Sequence, residues 1–166
     1  MVVAPPVRYF RKLVLKHLNI LVNSNDLFGE SYISFTTLDS IYPIHCDQVL
    51  NVLGAWQVTV QQICELLEQP SEIPLVIEPL RYKPLVTLRY IDENLYELKE
   101  DITLLRSNCL HPNRQTKQYQ KQIQENLEKI LSNKVIACQQ VQSMLDVALF
   151  QENGHENSLE SSFNRR

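Results

Sequence analysis

The sequence contains little glycine, with three residues among 166. Catalytic α/β folds usually need more, because tight loops and close approach of the backbone to a ligand favour a residue without a Cβ atom. No apolar run approaches the roughly 18 residues that a membrane span requires. The net charge of −3 gives no strong electrostatic attraction to nucleic acid or to an anionic membrane. We therefore expect a helical protein without a membrane partner, for which nucleic acid is a poor ligand.

Sequence patterns that carry chemistry are also missing. The four cysteines are far apart and form no C-x-x-C pair, which is typical of buried free thiols: Cys46, Cys64, Cys109 and Cys138. Neither His45 beside Cys46 nor His111 near Cys109 has the second pair that a zinc site needs. No phosphate-binding loop, G-x-G-x-x-G or G-x-S-x-G motif is present. The sequence predicts no catalytic residue, no cofactor and no metal site, and the protein is expected not to be an enzyme.

A regular apolar spacing is the strongest positive feature. In "VLNVLGAWQVTVQQICELL", residues 49–67, the large apolar residues follow one another in steps of four, three, four, three and four. The spacing recurs over residues 85–107 and again over 115–150, where Lys134 interrupts it. We call the large apolar residues of these stripes the heptad residues: Val49, Leu53, Trp56, Val60, Ile63, Leu67, Leu88, Ile91, Leu95, Leu98, Ile102, Leu105, Ile123, Leu127, Ile130, Val141 and Met144.

Two apolar positions per heptad are typical of helices that pack knobs into holes on a neighbour. The predicted fold is therefore all-α, an elongated helical bundle or coiled coil of about four helices, with a small irregular or β segment near 31–36. The spacing leaves bundle and extended coiled coil as alternatives. As a hypothesis, the heptad residues form the interface with other coiled-coil subunits in a hetero-oligomer, and Trp56 is a buried anchor.

The chain divides into four parts by composition. Residues 1–69 form an N-terminal helical region whose first helix covers about 6–23. Residues 70–84 form an apolar connector with four prolines, so extended backbone is expected there. This connector is apolar enough to lie along a groove of this chain or of a partner. Residues 85–150 form coiled-coil helices, and the polar residues 151–166 form a disordered tail.

Two local features of the predicted helices are also visible in the sequence. Asp47 is placed to cap the helix that contains the first heptad stripe. The basic residues of the last helix form either a solvated face or a weak contact with nucleic acid or an acidic polymer such as a microtubule: Arg114, Lys117, Lys121, Lys129 and Lys134.

Two segments resemble a known class of protein. "QQICELLEQPSEIP" and "LRYIDENLYELKEDITLL" are similar to segments of the small helical coiled-coil subunits of spindle assemblies, in particular of augmin, the complex that recruits γ-tubulin to existing microtubules. The resemblance covers about a third of the chain. It implies a cytoplasmic, non-enzymatic scaffold that acts at the mitotic spindle through obligate neighbours, and it identifies no contact residue.

The leading functional hypothesis is thus a structural subunit of a multi-protein complex, with microtubule or spindle association. The alternative is a self-contained helical adaptor of death-domain type, with residues 7–69 as a compact bundle and the remainder as a coiled-coil tail. The N-terminus places its charges after the first apolar residues, the wrong order for a secretory signal, so the protein is not expected to be secreted. An amphipathic transit peptide is the alternative reading of this segment.

Overall fold

The all-α prediction is confirmed by the structure, a computed structural model. It describes residues 6–23, 42–70, 73–107 and 114–164, with side chains at 116–151 in the last range. These residues contain no strand. They form four helices: α1 (Val7–Asn23), α2 (Pro43–Glu68), α3 (Tyr82–Ser107) and α4 (Arg114–Asn164). The segment near 31–36, for which a β structure was an option, lies outside the described residues.

The four helices pack as a bundle, not as an extended coiled coil. α2 and α3 are antiparallel, because Asp47 lies 2.6 Å from Arg106 at one end of the pair and Glu68 lies 2.6 Å from Arg89 at the other. α4 packs on the other side of α3, and α1 packs against both α2 and α4. α1 and α3 therefore occupy opposite corners of the bundle.

One hydrophobic core runs through all four helices. α1 contributes Phe10, Val14 and Leu18, and α2 contributes Trp56, all of them 1% exposed or less. Full burial of a large apolar side chain stabilises a fold by roughly 1.5–3 kcal/mol, so a shared core of this kind holds the helices together. The described buried residues of the N-terminal region, in α1 and α2, belong to the same core as those of α3 and α4.

The start of α2 differs from the prediction that Asp47 caps it. The helix begins at Pro43, whose fixed φ suits a first helical position, and Tyr42 is the N-cap residue. The Tyr42 backbone N–H donates to Nδ1 of His45 at 3.2 Å, so a histidine completes the cap. Asp47 lies one turn further in and binds Arg106 of α3.

The connector between α2 and α3 forms turns and docks on its own chain. The Ile77 N–H donates to the Pro74 carbonyl at 2.9 Å, and the Leu80 N–H donates to the Ile77 carbonyl at 2.8 Å. Ile73 and Ile77 are 3% and 0% exposed. Gln69, before Pro70, has the extended conformation that was expected, whereas residues 75–80 form consecutive turns. These turns accompany the burial of Ile73 and Ile77 in the core. The groove that the connector was predicted to occupy belongs to this chain.

Helix α4 is 51 residues long and continues to Asn164, past residue 151 where the sequence predicted a disordered tail. No proline follows Pro112 in the sequence, and each further residue of a helix that has already formed adds one backbone hydrogen bond. Among the described helices none, including α4, is both long and apolar enough to cross a membrane.

Candidate functional site

The heptad residues lie in the core of the single chain. Each is at most 4% exposed: Val49, Leu53, Trp56, Val60, Ile63, Leu67, Leu88, Ile91, Leu95, Leu98, Ile102, Leu105, Ile123, Leu127, Ile130, Val141 and Met144. The chain's own helices cover the surfaces that the sequence analysis assigned to other subunits. Because these residues are almost completely buried within the single chain, a partner surface is sought here among exposed residues.

An exposed groove lies between the start of α3 and the second half of α4. Leu80 and Pro84 line it from the connector and α3, and Ile136, Met144 and Val147 line it from α4. Ile136 is 46% exposed and Val147 is 43% exposed, so both side chains still present apolar surface to water. We call this site, with its polar lining residues Lys83, Gln139, Gln140 and Ser143, the α3–α4 groove.

No pattern in the sequence indicated the α3–α4 groove. On α4 its lining positions 136, 140, 143 and 147 precede the core positions 137, 141, 144 and 148 by one residue each. A shift of one residue turns the helix by about 100°, so this line lies on a flank of the core stripe. Glutamine and serine alternate with the apolar residues there, which hides the pattern. Phe150, 78% exposed, extends the line in the same 3–4 spacing.

One polar atom of the α3–α4 groove has an unused bonding capacity. Oε1 of Gln140 is buried and accepts no hydrogen bond from any described residue. A buried amide oxygen without a donor costs free energy comparable to a lost hydrogen bond. Because this oxygen has almost no accessible surface, an occupant of the groove could donate to it only after the Gln140 side chain turns toward the groove.

A second apolar surface lies on α3 alone. Tyr96 and Leu104, 59% and 56% exposed, line a shallow groove with Lys99, Glu100 and Thr103. Lys99 donates to Oε1 of Gln57 on α2 at 3.0 Å, which holds this lysine against the bundle. Tyrosine is enriched at protein interfaces because it combines a large apolar area with a polar group. The surface is suited to protein contact, although its single-helix geometry makes it shallower than the α3–α4 groove.

The predicted basic stretch of α4 is divided by the fold. Lys117, Lys121 and Lys129 are exposed, whereas Lys134 is 2% exposed and belongs to the core. The side chain of Arg114 lies outside the described side chains. The basic surface is therefore limited to the first half of α4, and the grouping of Lys134 with it is corrected because position 134 falls on the buried face of the helix.

Lys134 lies in the core against the indole of Trp56. Its Nζ is 4.1 Å from the centroid of the Trp56 ring, a distance at which a cation is attracted to the face of the ring. Burial lowers the pKa of Lys134 to about 8. From the sequence this residue was interpreted as an interruption of the apolar stripe and as part of the basic stretch. Its pairing with Trp56 depends on two helices that are distant in sequence.

Arg81 joins the connector to the end of α2. Its guanidinium donates to the Leu67 carbonyl at 2.7 Å, to Oε1 of Glu78 at 2.9 Å and to the Tyr82 hydroxyl at 3.2 Å. A cation beside the last carbonyls of a helix is favourable, because these carbonyls carry the negative end of the helix dipole. This role was not predicted, because an arginine that follows an apolar connector is only a weak signal for it.

The cysteines of the described residues are buried and form no disulfide, as predicted: Cys46, Cys64 and Cys138. Burial raises the pKa of Cys64 to about 12 and also raises the pKa of Cys138, so both stay protonated at neutral pH. Cys109 lies outside the described residues. Across the part of the chain that the structure describes, no cluster of three or more His, Cys, Asp or Glu side chains is arranged to hold a metal ion.

Because comparison with known proteins finds no match, a functional assignment depends on the surfaces described above. No family model, no curated protein and no solved structure matches this chain.

Proposed function

We propose that this protein is a non-enzymatic structural subunit of a multi-protein complex, and that it binds a helix of another subunit in the α3–α4 groove. The observation that carries the proposal is the exposed apolar line of Ile136, Val147 and Phe150 beside an otherwise closed core. The heptad residues build the scaffold, and the groove supplies the contact with the neighbour.

The spacing of the exposed apolar line suits a helical partner. Positions 136, 140, 143, 147 and 150 advance in steps of four, three, four and three, the repeat that packs one helix against another. An amphipathic helix laid into such a groove places its own apolar residues between these positions. Covering the exposed parts of the three apolar side chains contributes on the order of 3 kcal/mol. That contribution is sufficient for a subunit contact when it is supported by further surface.

Gln140 gives the groove a means of discrimination. If the Gln140 side chain turns toward the groove, its Oε1 selects a partner that brings a donor, such as a serine, asparagine or lysine side chain, to the middle of the apolar line. A partner helix with only apolar residues there leaves the oxygen without a donor and binds less tightly.

We place the complex at the spindle, in the cytoplasm, on the basis of the augmin-like segments. Residues 61–74 and 88–105 carry that resemblance, and they belong to α2, the connector and α3. Lys117, Lys121 and Lys129, exposed on α4, offer a basic surface to an acidic polymer such as a microtubule. Other coiled-coil subunits of the same assembly are the proposed source of the helix in the groove.

The test is affinity purification of the tagged chain from dividing cells, with quantification of the proteins that come with it. Ile136→Asp together with Val147→Asp places two charges in the α3–α4 groove and should remove the spindle subunits from the eluate. Gln122→Asp together with Ser132→Asp is the matched control, because it adds the same charge at exposed α4 positions outside the groove.

Circular dichroism of both double variants must first show native helix content. If a folded groove variant and its control recover spindle subunits equally, the groove is not the binding site. If the wild-type chain recovers partners that have no connection with microtubules, the assignment to the spindle is wrong, while the subunit role stands.

A further inference from the structure

The charges of this protein are separated between helices. α1 carries four of the sixteen Lys and Arg residues and none of the nineteen acidic residues. The chain as a whole is acidic, with a net charge of −3, so the sign of α1 is opposite to that of the rest. The separation gives the bundle one helix, α1, that carries basic residues and no acidic ones.

The basic residues of α1 lie mainly on the face turned away from the core. Lys12 and Lys16 are exposed, on the side opposite Val14, and Arg8 lies on the same line one turn earlier. Arg11, at the edge of this face, is 3.4 Å from Asp146 of α4. Neither Lys12 nor Lys16 takes part in the ion pairs of the described residues. From Arg8 to Lys16 the line is about 12 Å long.

The outward face of α3 carries the complementary charge. Glu93, Glu97 and Glu100 are exposed on the side opposite the α3 core residues, along a line about 10 Å long. The carboxylates that form ion pairs in the described part of the chain are those of Asp47, Glu68, Glu78 and Asp146, so these three glutamates remain available.

Apolar side chains accompany both charged lines. Tyr9 and Ile20 border the basic face of α1, with 62% and 52% of their surfaces exposed. Val86 and Leu104 border the acidic face of α3, with 65% and 56% exposed. Each face therefore combines a line of charges about two turns long with apolar contacts at its margins.

We propose that the basic face of α1 docks on the acidic face of α3 in a second copy of this chain. The two faces match in length, have opposite charge and bring apolar margins together. They cannot meet within one chain, because α1 and α3 occupy opposite corners of the bundle and each packs between α2 and α4. A contact that joins two different faces of a subunit is heterologous, so copies add head to tail and form a linear chain unless the rotation closes a ring.

Salt dependence follows from the charged nature of the contact. Interactions between exposed charges are screened over about 10 Å at 0.1 M ionic strength and over about 3 Å at 1 M. The weight-average mass in solution should therefore rise with protein concentration at low ionic strength and return to that of a monomer at high ionic strength.

The decisive experiment is sedimentation of the full chain and of two double charge reversals. Lys12→Glu with Lys16→Glu makes both faces acidic, and Glu93→Lys with Glu100→Lys makes the α3 face basic. Each variant alone should be monomeric at low ionic strength. An equimolar mixture should associate again, because the reversed α1 of the first variant fits the reversed α3 of the second.

Lys117→Glu with Lys121→Glu is the matched control, since it makes the same charge change on exposed α4 residues outside both faces. It should leave the association unchanged. The proposal is overturned if the wild-type chain stays monomeric at every concentration at low ionic strength, if the mixture fails to associate, or if the control weakens association as much as the α1 variant does. None of Lys12, Lys16, Glu93 and Glu100 lines the α3–α4 groove, so recovery of spindle subunits by the two charge-reversal variants is a separate readout.

Discussion

The ammonium group of Lys134 lies 4.1 Å from the centroid of the Trp56 ring, inside the core of the bundle. Lys134 is 2% exposed and Trp56 is 1% exposed. Removal of a charge from water is costly, and attraction to the face of the indole offsets only part of that cost. Burial accordingly lowers the pKa of Lys134 to about 8. The pair links α4 to α2 at one position of the core.

Substitution of Lys134 by methionine should stabilise the fold. Methionine has similar length and no charge, so Lys134→Met should raise the free energy of unfolding at pH 7 by about 1–3 kcal/mol. Urea denaturation followed by circular dichroism measures the change. Lys121→Met, at an exposed position of the same helix, is the control and should have little effect. A loss of stability in Lys134→Met would mean that the contact with Trp56 outweighs the cost of burial.

The same lysine should make stability depend on pH. Between pH 8 and 10.5 the unfolded chain still binds the Lys134 proton while the folded chain releases it, so stability rises with pH in this range. Above pH 9 the raised pKa of Cys64 acts in the opposite sense, because the unfolded thiol loses its proton first. Urea titrations at pH 7, 8 and 9 should show a rise for the wild type that Lys134→Met lacks. Equal slopes for the two proteins would contradict a lowered pKa.

Charges placed at Leu95 and Leu98 should unfold the bundle. Both side chains are at most 1% exposed, and burying two unpaired carboxylates costs several kcal/mol. Leu95→Asp with Leu98→Asp should therefore abolish the cooperative thermal transition seen by circular dichroism, in addition to any partner binding. Tyr96→Asp, at an exposed position between them, should keep that transition. A double variant that melts like the wild type would show that these residues are not core residues in solution.

Loss of Arg81 should weaken the junction between α2 and α3. Arg81→Met leaves the Leu67 carbonyl without its guanidinium donor, and hydrogen bonds to charged groups contribute about 1.5–3 kcal/mol. Urea denaturation should show a loss of that size. Arg89→Met is the matched control, because the Arg89 pair with Glu68 is exposed and contributes about 0–1 kcal/mol. Equal losses for the two variants would refute a special role for Arg81.

Two truncations should have opposite effects. Removal of everything after Asn113 deletes α4 and exposes the core surfaces of α1 and α3, so the remaining chain should lose cooperative unfolding. Removal of everything after Gln151 keeps every α4 residue that is buried among the described side chains, the last of which is Ala148. This chain should retain the native melting temperature within a few degrees. Differential scanning calorimetry distinguishes these outcomes, and a cooperative transition in the shorter chain would mean that α4 is not needed for the core.

Sequence patterns predicted neither the α3–α4 groove nor the positions of the outward charges of α1 and α3. The reasons differ. The groove combines residues of the connector with residues of α4, so no single stretch shows it. The charges of Lys12 and Glu93 are visible in the sequence, but their positions on opposite corners follow only from the packing of α1 and α3 between the same two helices.

The apolar spacing by itself determined which residues enter the core, because a side chain at a heptad position lies on the same helix face as its neighbours in that stripe. This holds even for Lys134, which occupies a heptad position and is buried although its side chain is ionisable. The spacing cannot determine which helix covers a stripe, since every stripe of the same kind is complementary to every other. Tertiary structure decided that α1, α2, α3 and α4 cover one another, that Ile77 of the connector docks on its own chain, and that Asp47 binds Arg106 instead of capping α2.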